Sequence, residues 1–269
     1  MKVTRVIIVT KPHQPDVAKV AEELAEWFEA RSIRASMDPA TAAQADLCVV
    51  VGGDGTLLAA ARLMGDHQVP IVAINYGGLG FLTEVTRDEM YPALEGTLAG
   101  KMVTHSRMMM DVAVQRDGAI VGNYQALNDA VIHKGTLARI IELEARVDGQ
   151  YVSMFRSDGL ILATPTGSTA YNVSAGGPIV YPTMGAIIMT PISSHTLTNR
   201  PLVLPHESRI EITLRSVPDE VYVTVDGQVG TKLSTNDRVM VQKSNRLVQL
   251  IAPAGKDFFD VLRDKLKWG

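Results

Sequence analysis

The chain has 269 residues, enough for one large or two modest domains, and its 46% hydrophobic and 20% charged content is typical of a globular protein. A formal net charge of −3 without a Lys/Arg block argues against a nucleic-acid partner, and no run of about 18 apolar residues predicts a membrane span. Cys48 is the single cysteine, and the six histidines are not spaced as zinc ligands. We expect a cytoplasmic protein with no nucleic-acid or membrane partner and no dedicated metal ligands.

Residues 1–101 alternate strand and helix patterns, which predicts a mainly parallel sheet with helices on both faces. A capping box at 86–89 is expected to open a helix that ends near Ala99. The earlier segments are, in order, a strand at 3–9, a helix at 16–28, a buried strand at 47–51, a helix at 57–63 and a strand at 70–74.

The turn Gly52-Gly53-Asp54-Gly55-Thr56 joins the second of these strands to its helix. Its glycines would let backbone N–H groups converge on a small anion, and a helix start adds positive dipole character there. Asp54 would repel a phosphate unless it holds Mg²⁺ or takes a proton from an attacking hydroxyl. The turn therefore predicts phosphoryl transfer from a nucleotide to an alcohol. The alternative is an ordinary strand–turn–helix with Asp54 as the helix N-cap.

From residue 102 to 251 the apolar residues alternate at period two, as in Arg209–Leu214 and Val221–Val225. Asp148-Gly149 predicts a hairpin between two such segments. This pattern indicates an antiparallel, strand-rich second domain. Helical spacing returns near the C-terminus, and we expect a helix within 252–269 to pack back on the first domain.

Polar residues interrupt apolar segments of the second domain. Asn128-Asp129 precedes a strand, Asp158 heads a buried-looking strand, and 164–178 is rich in hydroxyls and glycines. Such chemistry suits nucleoside edges and ribose hydroxyls, although a Ser/Thr-rich loop that caps a helix would look the same. Neither a P-loop nor a Gly-x-Gly-x-x-Gly fingerprint is present, so any dinucleotide must be held in another way.

These motifs, together with Leu79-Gly80-Phe81-Leu82 and Ser157-Asp158-Gly159, resemble the NAD kinase family over nearly the whole chain. The glycine turn is shared with diacylglycerol and sphingosine kinases and more distantly with phosphofructokinases. The block from Thr164 to Tyr171 is far more specific. The resemblance implies an α/β N-terminal domain with a mainly parallel sheet, Rossmann-like or phosphofructokinase-like. It also implies an antiparallel all-β, β-sandwich-like C-terminal domain that binds NAD.

The activity implied by the resemblance is transfer of the γ-phosphoryl of ATP to the 2′-hydroxyl of the adenosine ribose of NAD, which gives NADP and ADP. Mg²⁺ or another divalent metal would accompany ATP, and polyphosphate stays open as a donor. Asp54 would be the general base. The residues that match ligand positions of the family are Gly55, Asn128, Asp129, Arg139, Arg156, Asp158, Thr166, Thr169, Ala170, Tyr171, Asn172, Ser174 and Gln228.

One departure concerns a Lys or Arg that some members carry shortly after the glycine turn, because residues 59–61 are alanines here. The alternatives are a lipid or sphingoid kinase, which would need an apolar pocket, and an NADP(H) sensor without activity, which should have lost Asp54. Family members are typically homo-oligomers, and we expect a tetramer, or else a dimer, with Arg139 able to reach a neighbouring subunit's pocket.

Overall fold

The computed structural model describes residues 2–11, 14–78, 80–135, 139–194, 198–216, 220–252 and 257–268. The chain divides into two compact units, of which the first is Met1–Ser106 with Val248–Gly269 and the second is Arg107–Leu247. None of the helices in the described ranges is long and apolar enough to cross a membrane.

Five α-helices and two short 3₁₀ helices occur in these ranges. The α-helices are α1 (Pro15–Glu29), α2 (Asp54–Met64), α3 (Met90–Leu98), α4 (Tyr171–Ser174) and α5 (Phe258–Leu266), and the 3₁₀ helices are Pro39–Gln44 and Thr166–Thr169.

The strands run from one end of the described chain to the other. They are β1 (Arg5–Thr10), β2 (Arg34–Ser36), β3 (Leu47–Gly52), β4 (Ile71–Asn75), β5 (Val85–Thr86), β6 (Val103–Arg116), β7 (Ala119–Ala126), β8 (Asp129–Lys134), β9 (Ile141–Val147), β10 (Gln150–Ser157), β11 (Gly159–Ala163), β12 (Ala186–Ile192), β13 (Leu202–Pro205), β14 (Ile210–Leu214), β15 (Val221–Val225), β16 (Val229–Lys232) and β17 (Arg238–Ala252).

The first unit is built on parallel strands. β1 pairs with β2 and β3, β3 pairs with β4, and β4 pairs with β5 and with the last residues of β17, all in parallel. β3 is buried along its whole length because it lies inside the sheet. Helix α1 has Pro15 at its start and buries one face, with Leu24 and Phe28 at 0% exposure. This confirms the predicted α/β fold with a mainly parallel sheet.

The second unit is antiparallel throughout its paired strands. One sheet has the order β13-β12-β11-β8-β15-β16. The other strands pair as β10-β9-β14-β17 and β6-β7. Leu143 of β9 and Leu160 of β11 belong to one buried cluster that draws on both sets of strands. Side chains of two sheet faces therefore share a core, which confirms the predicted antiparallel, sandwich-like fold.

Several element boundaries differ from the sequence-based expectations. Helix α3 begins at Met90, four residues after Thr86, and its N-cap is Glu89. The Glu89 carboxylate accepts from the Thr86 backbone N–H and hydroxyl. The C-terminal helix spans only Phe258–Leu266, and residue 252, predicted to belong to it, ends strand β17. Asp257 makes a true capping box at this start. Residues 253–256 of the predicted helix lie outside the described ranges.

The predicted domain limits at 102 and 251 do not coincide with the limits of the two units. Strands β6 and β17 each carry residues of both units, so the change of unit falls inside a strand. In the first unit, the Lys265 ammonium of α5 lies 5.9 Å from the centre of the Phe81 ring. Helix α5 thus packs within the unit that holds the glycine turn.

Candidate active site

The glycine turn leads directly from β3 into α2. Gly53 is the N-cap, and its carbonyl accepts from the backbone N–H groups of Thr56 and Leu57 at 2.9 and 3.2 Å. The helix therefore begins at Asp54, three residues before the predicted start. Asp54 is the first helical residue rather than the N-cap, so the alternative expectation for this residue is wrong. Gly55 is exposed in the same first turn.

The Asp54 carboxylate is held by the segment that follows β4. Its Oδ2 accepts from the Phe81 backbone N–H at 2.8 Å. Its Oδ1 accepts from the backbone N–H groups of Leu82 and Thr83, at 3.1 and 3.2 Å, and from the Thr83 hydroxyl at 3.1 Å. A carboxylate has about four lone-pair positions, two on each oxygen. Oδ1 is therefore saturated, and Oδ2 keeps one position for a further donor.

Gly80 lets this clamp close around the carboxylate. A Cβ at position 80 would lie 2.0 Å from Asp54 Oδ1 and 2.2 Å from Thr83 Oγ1, far inside contact distance. The Leu-Gly-Phe-Leu motif and the glycine turn are thus two halves of one arrangement. Leu79 of that motif lies outside the described residues.

Among the described residues no group of three or more His, Cys, Asp or Glu side chains could hold a metal ion. Mg²⁺ commonly binds through one or two carboxylates together with substrate phosphates and water, so it does not require such a group. The glycine turn therefore fits an ion that substrate phosphates and water hold near Asp54.

A cleft of about 740 Å³ opens in the second unit, which is large enough for a nucleotide-sized ligand. It is lined by residues of β8, β12, α4 and the β15–β16 hairpin and by residues that flank these elements or directly precede β11. The lining residues are Asn128, Asp129, Val131, His133, Lys134, Gly135, Asp158, Ala170, Tyr171, Ile192, Ser193, Thr224, Asp226 and Gly227. Five of the predicted ligand residues therefore meet in one cavity: Asn128, Asp129, Asp158, Ala170 and Tyr171.

Asn128 and Asp129 form one side of the cleft. Asn128 Oδ1 is buried and has no hydrogen-bond partner in the described structure, a state that normally costs about 1–3 kcal/mol. Asp129 is 5% exposed. Burial, and secondly the charge of Asp226, raise the pKa of Asp129 from 3.8 to about 7.

Asp158 faces the cleft in an ion pair. Its Oδ1 lies 2.7 Å from the Lys134 ammonium, and both side chains are partly exposed. The pair forms because β8 and β11 are antiparallel neighbours, and the Lys134 backbone N–H donates to the Asp158 carbonyl at 3.0 Å. One carboxylate oxygen is engaged by Lys134, which leaves the other available to a ligand.

The hydroxyl-rich segment from 164 to 178 is largely buried and bonded to itself. The Asn172 amide donates to the carbonyls of Ser168 and Pro178, at 3.0 and 2.9 Å, and its oxygen accepts from the Thr190 hydroxyl at 2.7 Å. Asn172 is 0% exposed, so it ties the loop together and offers no free group to a ligand.

The two threonines of the 3₁₀ helix Thr166–Thr169 differ in their bonding. The Thr169 hydroxyl donates to the Thr166 carbonyl at 3.4 Å. The Thr166 hydroxyl is buried without a partner among the described residues. Thr166 thus shares with Asn128 the property expected of a ligand-contacting group in a ligand-free chain.

The remaining predicted residues are not among those that line the cleft. Arg156 is exposed on β10 and pairs across the strands with Glu142 at 3.2 Å. Arg139, Ser174 and Gln228 are exposed, and Gln228 directly follows the Asp226-Gly227 hairpin turn.

Sequence reasoning missed three residues that the geometry singles out. Thr83, which completes the Asp54 clamp, directly follows the quoted motif. Lys134 carries no local signal, because its partner Asp158 comes from another strand. Asp226 lies in an Asp-Gly turn, which reads as a hairpin signal rather than as part of a site.

The chain was compared with known proteins and structures. It matches the ATP-NAD kinase N-terminal domain over residues 32–102 and the ATP-NAD kinase C-terminal domain over residues 127–252. It is 48% identical over 280 residues to the NAD kinase of Geotalea daltonii, and the alignment covers 98% of this chain and 99% of the relative. It is 49% identical over 284 residues to that of Citrifermentans bemidjiense, with the same coverage.

Two solved structures are similar along nearly the whole chain. Yeast NADH kinase in complex with NADH aligns with a TM-score of 0.88 and 28% identity, covering all of this chain and 89% of the yeast protein. The NAD kinase of Archaeoglobus fulgidus in complex with ATP aligns with a TM-score of 0.76 and 25% identity, covering 98% and 97% of the two chains. With the domain matches and the close relatives, these similarities show that the chain belongs to the NAD kinase family.

Proposed function

We propose that the chain is a cytoplasmic NAD kinase that transfers the γ-phosphoryl of ATP to the 2′-hydroxyl of the adenosine ribose of NAD, with Asp54 as general base. The assignment of Asp54 as the base rests on one observation, the way in which its carboxylate is held. Four hydrogen bonds fix its position and leave one acceptor position, on Oδ2. A base must be positioned in this way before its reactivity matters.

In the proposed reaction the ribose O2′ attacks the γ-phosphorus, and the bond from that phosphorus to the ADP oxygen breaks. The 2′-hydroxyl proton passes to Asp54 Oδ2 as the new O–P bond forms. A ribose hydroxyl is hardly ionised at neutral pH, so a positioned base contributes on the order of 10²–10⁴-fold to the rate. The Asp54 proton is released to water after the products leave.

We propose that Mg²⁺, or another divalent metal, enters as part of the ATP substrate and is held largely by phosphates and water near Asp54. Its contribution would be to neutralise the phosphate charge. The backbone N–H groups at the start of α2 supply further positive character for phosphates. Polyphosphate presents the same kind of oxygens, so the donor assay below includes it.

NAD is proposed to bind in the cleft of the second unit. Asn128 and Asp129 would hold the adenine edge and ribose hydroxyls, since Asn128 Oδ1 is buried without a partner. Asp158 would accept from the nicotinamide amide with the oxygen that Lys134 does not engage. Contacts from the rest of the predicted set are proposed for Thr166, Thr169, Ala170, Tyr171, Ser174, Gly55, Arg139, Arg156 and Gln228, with Asn172 assigned to holding the loop.

The test is formation of NADP from NAD with ATP and Mg²⁺, with polyphosphate and with NADH in parallel arms. The Asp54→Asn variant keeps size and removes the base, so we expect kcat to fall by about 10²-fold or more, with NAD affinity changed by less than about tenfold. Asp16→Asn removes a charge from the first turn of α1 and serves as the matched control. An Asp54→Asn enzyme with more than half the wild-type kcat would refute the assignment.

We further propose a homotetramer, with a dimer as second choice, assembled through the antiparallel unit. Strand β13 is an edge strand, and Val203 on it is 52% exposed. Exposed edges of this kind are normally covered. Sedimentation equilibrium at micromolar protein, with and without NADP, decides the question, because a single species of 29.1 kDa in both conditions contradicts it.

A further inference from the structure

Asp226 is bonded to the backbone that presents Asn128 and Asp129 to the cleft. Its Oδ1 accepts from the backbone N–H groups of Asn128 and Asp129 at 2.8 and 3.2 Å, and its Oδ2 accepts from that of Leu127 at 3.1 Å. Its own backbone N–H donates to the Asp129 carbonyl at 2.9 Å. Four hydrogen bonds therefore join one residue to three consecutive residues about a hundred positions earlier in the chain.

The hairpin that carries Asp226 explains how the carboxylate reaches this place. Asp226 and Gly227 have φ values of +50° and +63°, and they join β15 to β16. Positive φ at both turn residues matches the twist of the flanking strands and favours Asp-Gly. Asp226 is only 9% exposed, and a buried carboxylate is retained when charge-assisted hydrogen bonds compensate it.

The same carboxylate also acts electrostatically on Asp129. Burial is the main cause of the raised pKa of Asp129, and the Asp226 charge is the second. The other charged or titratable groups that line the cleft are His133 and Lys134, on the strand of Asp129, Asp158, directly before β11, and Tyr171 of α4. Lys134 is engaged by Asp158 at 2.7 Å.

We infer that Asp226 is a positioning residue for NAD binding, which fixes Asn128 and Asp129 at the cleft and reduces the negative charge that Asp129 carries there. The inference rests on the proposed function for the identity of the ligand. An ionised Asp129 accepts stronger hydrogen bonds from ribose hydroxyls than a neutral one. NAD affinity should therefore rise with pH through about pH 7, where Asp129 loses its proton.

The experiment measures the Kd for NAD by isothermal titration calorimetry from pH 5.5 to 8.5, without ATP, for the wild type and Asp226→Asn. Asparagine tolerates positive φ, so the substitution removes the charge with little change of backbone preference. One acceptor replaces two, and at least one backbone N–H loses its bond. We expect the Kd at pH 8 to rise at least about tenfold, and the midpoint of the pH dependence to fall, because removal of the Asp226 charge favours the ionised form of Asp129.

The chain supplies matched controls in two other Asp-Gly hairpins. Asp117 and Asp148 have φ values of +49° and +50°, and each precedes a glycine with positive φ. Both are exposed. Asp117→Asn and Asp148→Asn make the same chemical change at the same backbone conformation, so their Kd and midpoint should stay those of the wild type.

A purely structural role predicts a lower thermal midpoint of unfolding for Asp226→Asn with an unshifted pH midpoint for NAD, and that result overturns the inference. A Kd of Asp226→Asn for NAD that equals the wild-type value overturns the inference as well. If Asp226→Asn does not fold, Asp129→Asn replaces it: NAD affinity must then lose its pH dependence around pH 7, and persistence of that dependence is the contrary outcome. Failure of the proposed function shows separately, as absence of NADP formation by the wild type.

Discussion

Asp129 should make the folding stability of the ligand-free protein depend on pH. Its pKa is raised in the folded state, so the folded protein keeps the Asp129 proton in a pH range where the unfolded chain has lost it. Stability is therefore complete below the unfolded pKa and falls as pH rises through the folded one. Asp129→Asn, which cannot titrate, should escape this fall.

The magnitude follows from the two pKa values, 3.8 unfolded and about 7 folded. Each pKa unit corresponds to about 1.36 kcal/mol. Between pH 5 and pH 8, only the part of the range up to the folded pKa contributes, and linkage gives a loss of about 2–3 kcal/mol for the wild type relative to Asp129→Asn. Above about pH 8 the difference should level off, because Asp129 is then ionised in both states.

The assay is urea denaturation of both proteins, without ligand, at pH 5, 6, 7 and 8. The measured quantity is the difference in free energy of unfolding between wild type and variant, in which the other titrating groups cancel. A wild-type-minus-Asp129→Asn difference that stays constant within about 0.5 kcal/mol across this range would refute the linkage argument.

Two further predictions concern Gly80 and Thr166. Gly80→Ala places a Cβ 2.0 Å from an Asp54 oxygen, so kcat should fall at least about tenfold while the KM for NAD changes little. Gly78→Ala is the control, because nothing lies within 4 Å of a Cβ there, and it should keep wild-type kinetics. Equal kinetics for the two variants would contradict the proposed hold of residues 80–83 on Asp54. Thr166→Val removes a buried hydroxyl that has no partner among the described residues. The thermal midpoint of unfolding should therefore stay unchanged, while the Kd for NAD rises about five- to tenfold. A lowered thermal midpoint with an unchanged Kd would show that the hydroxyl stabilises the fold and does not bind NAD.

The sequence predicted the elements whose hydrophobic pattern is local and complete. β3 reads as five apolar residues before a glycine, and α1 carries its buried face at helical spacing, so burial follows directly from the pattern. β2 has three residues, none of them buried, and it was missed because such a strand leaves no periodic signal. The start of α2 at Asp54 differs from the predicted start at residue 57. The contact of the Asp54 carboxylate with residues 81–83 is a second feature that a local sequence pattern cannot show.

The site residues that belong to a sequence motif could be predicted, and those brought to the site by the pairing of distant strands could not. Asp117, Asp148 and Asp226 all precede glycine and all take positive φ in hairpins. Only tertiary structure separates the two exposed carboxylates from the buried one, which meets three backbone N–H groups of the cleft. Lys134 is a comparable case, because its role depends on the β8–β11 register.

Hydrogen-bond completeness distinguishes two kinds of polar residue within the motifs. Asn172 is fully buried and uses both ends of its amide on Ser168, Pro178 and Thr190, so a ligand could reach it only by breaking bonds that already exist. Asn128 Oδ1 and the Thr166 hydroxyl oxygen are buried atoms without a hydrogen-bond partner among the described residues, a cost that the ligand-free chain bears without return in folding stability. The unused oxygen of Asn128 belongs to a residue that lines the cleft, so we predict that a ligand in the cleft bonds it. Within this motif-rich region, the unbonded oxygens are therefore the predicted ligand contacts, and the saturated ones are predicted to form the framework that positions them.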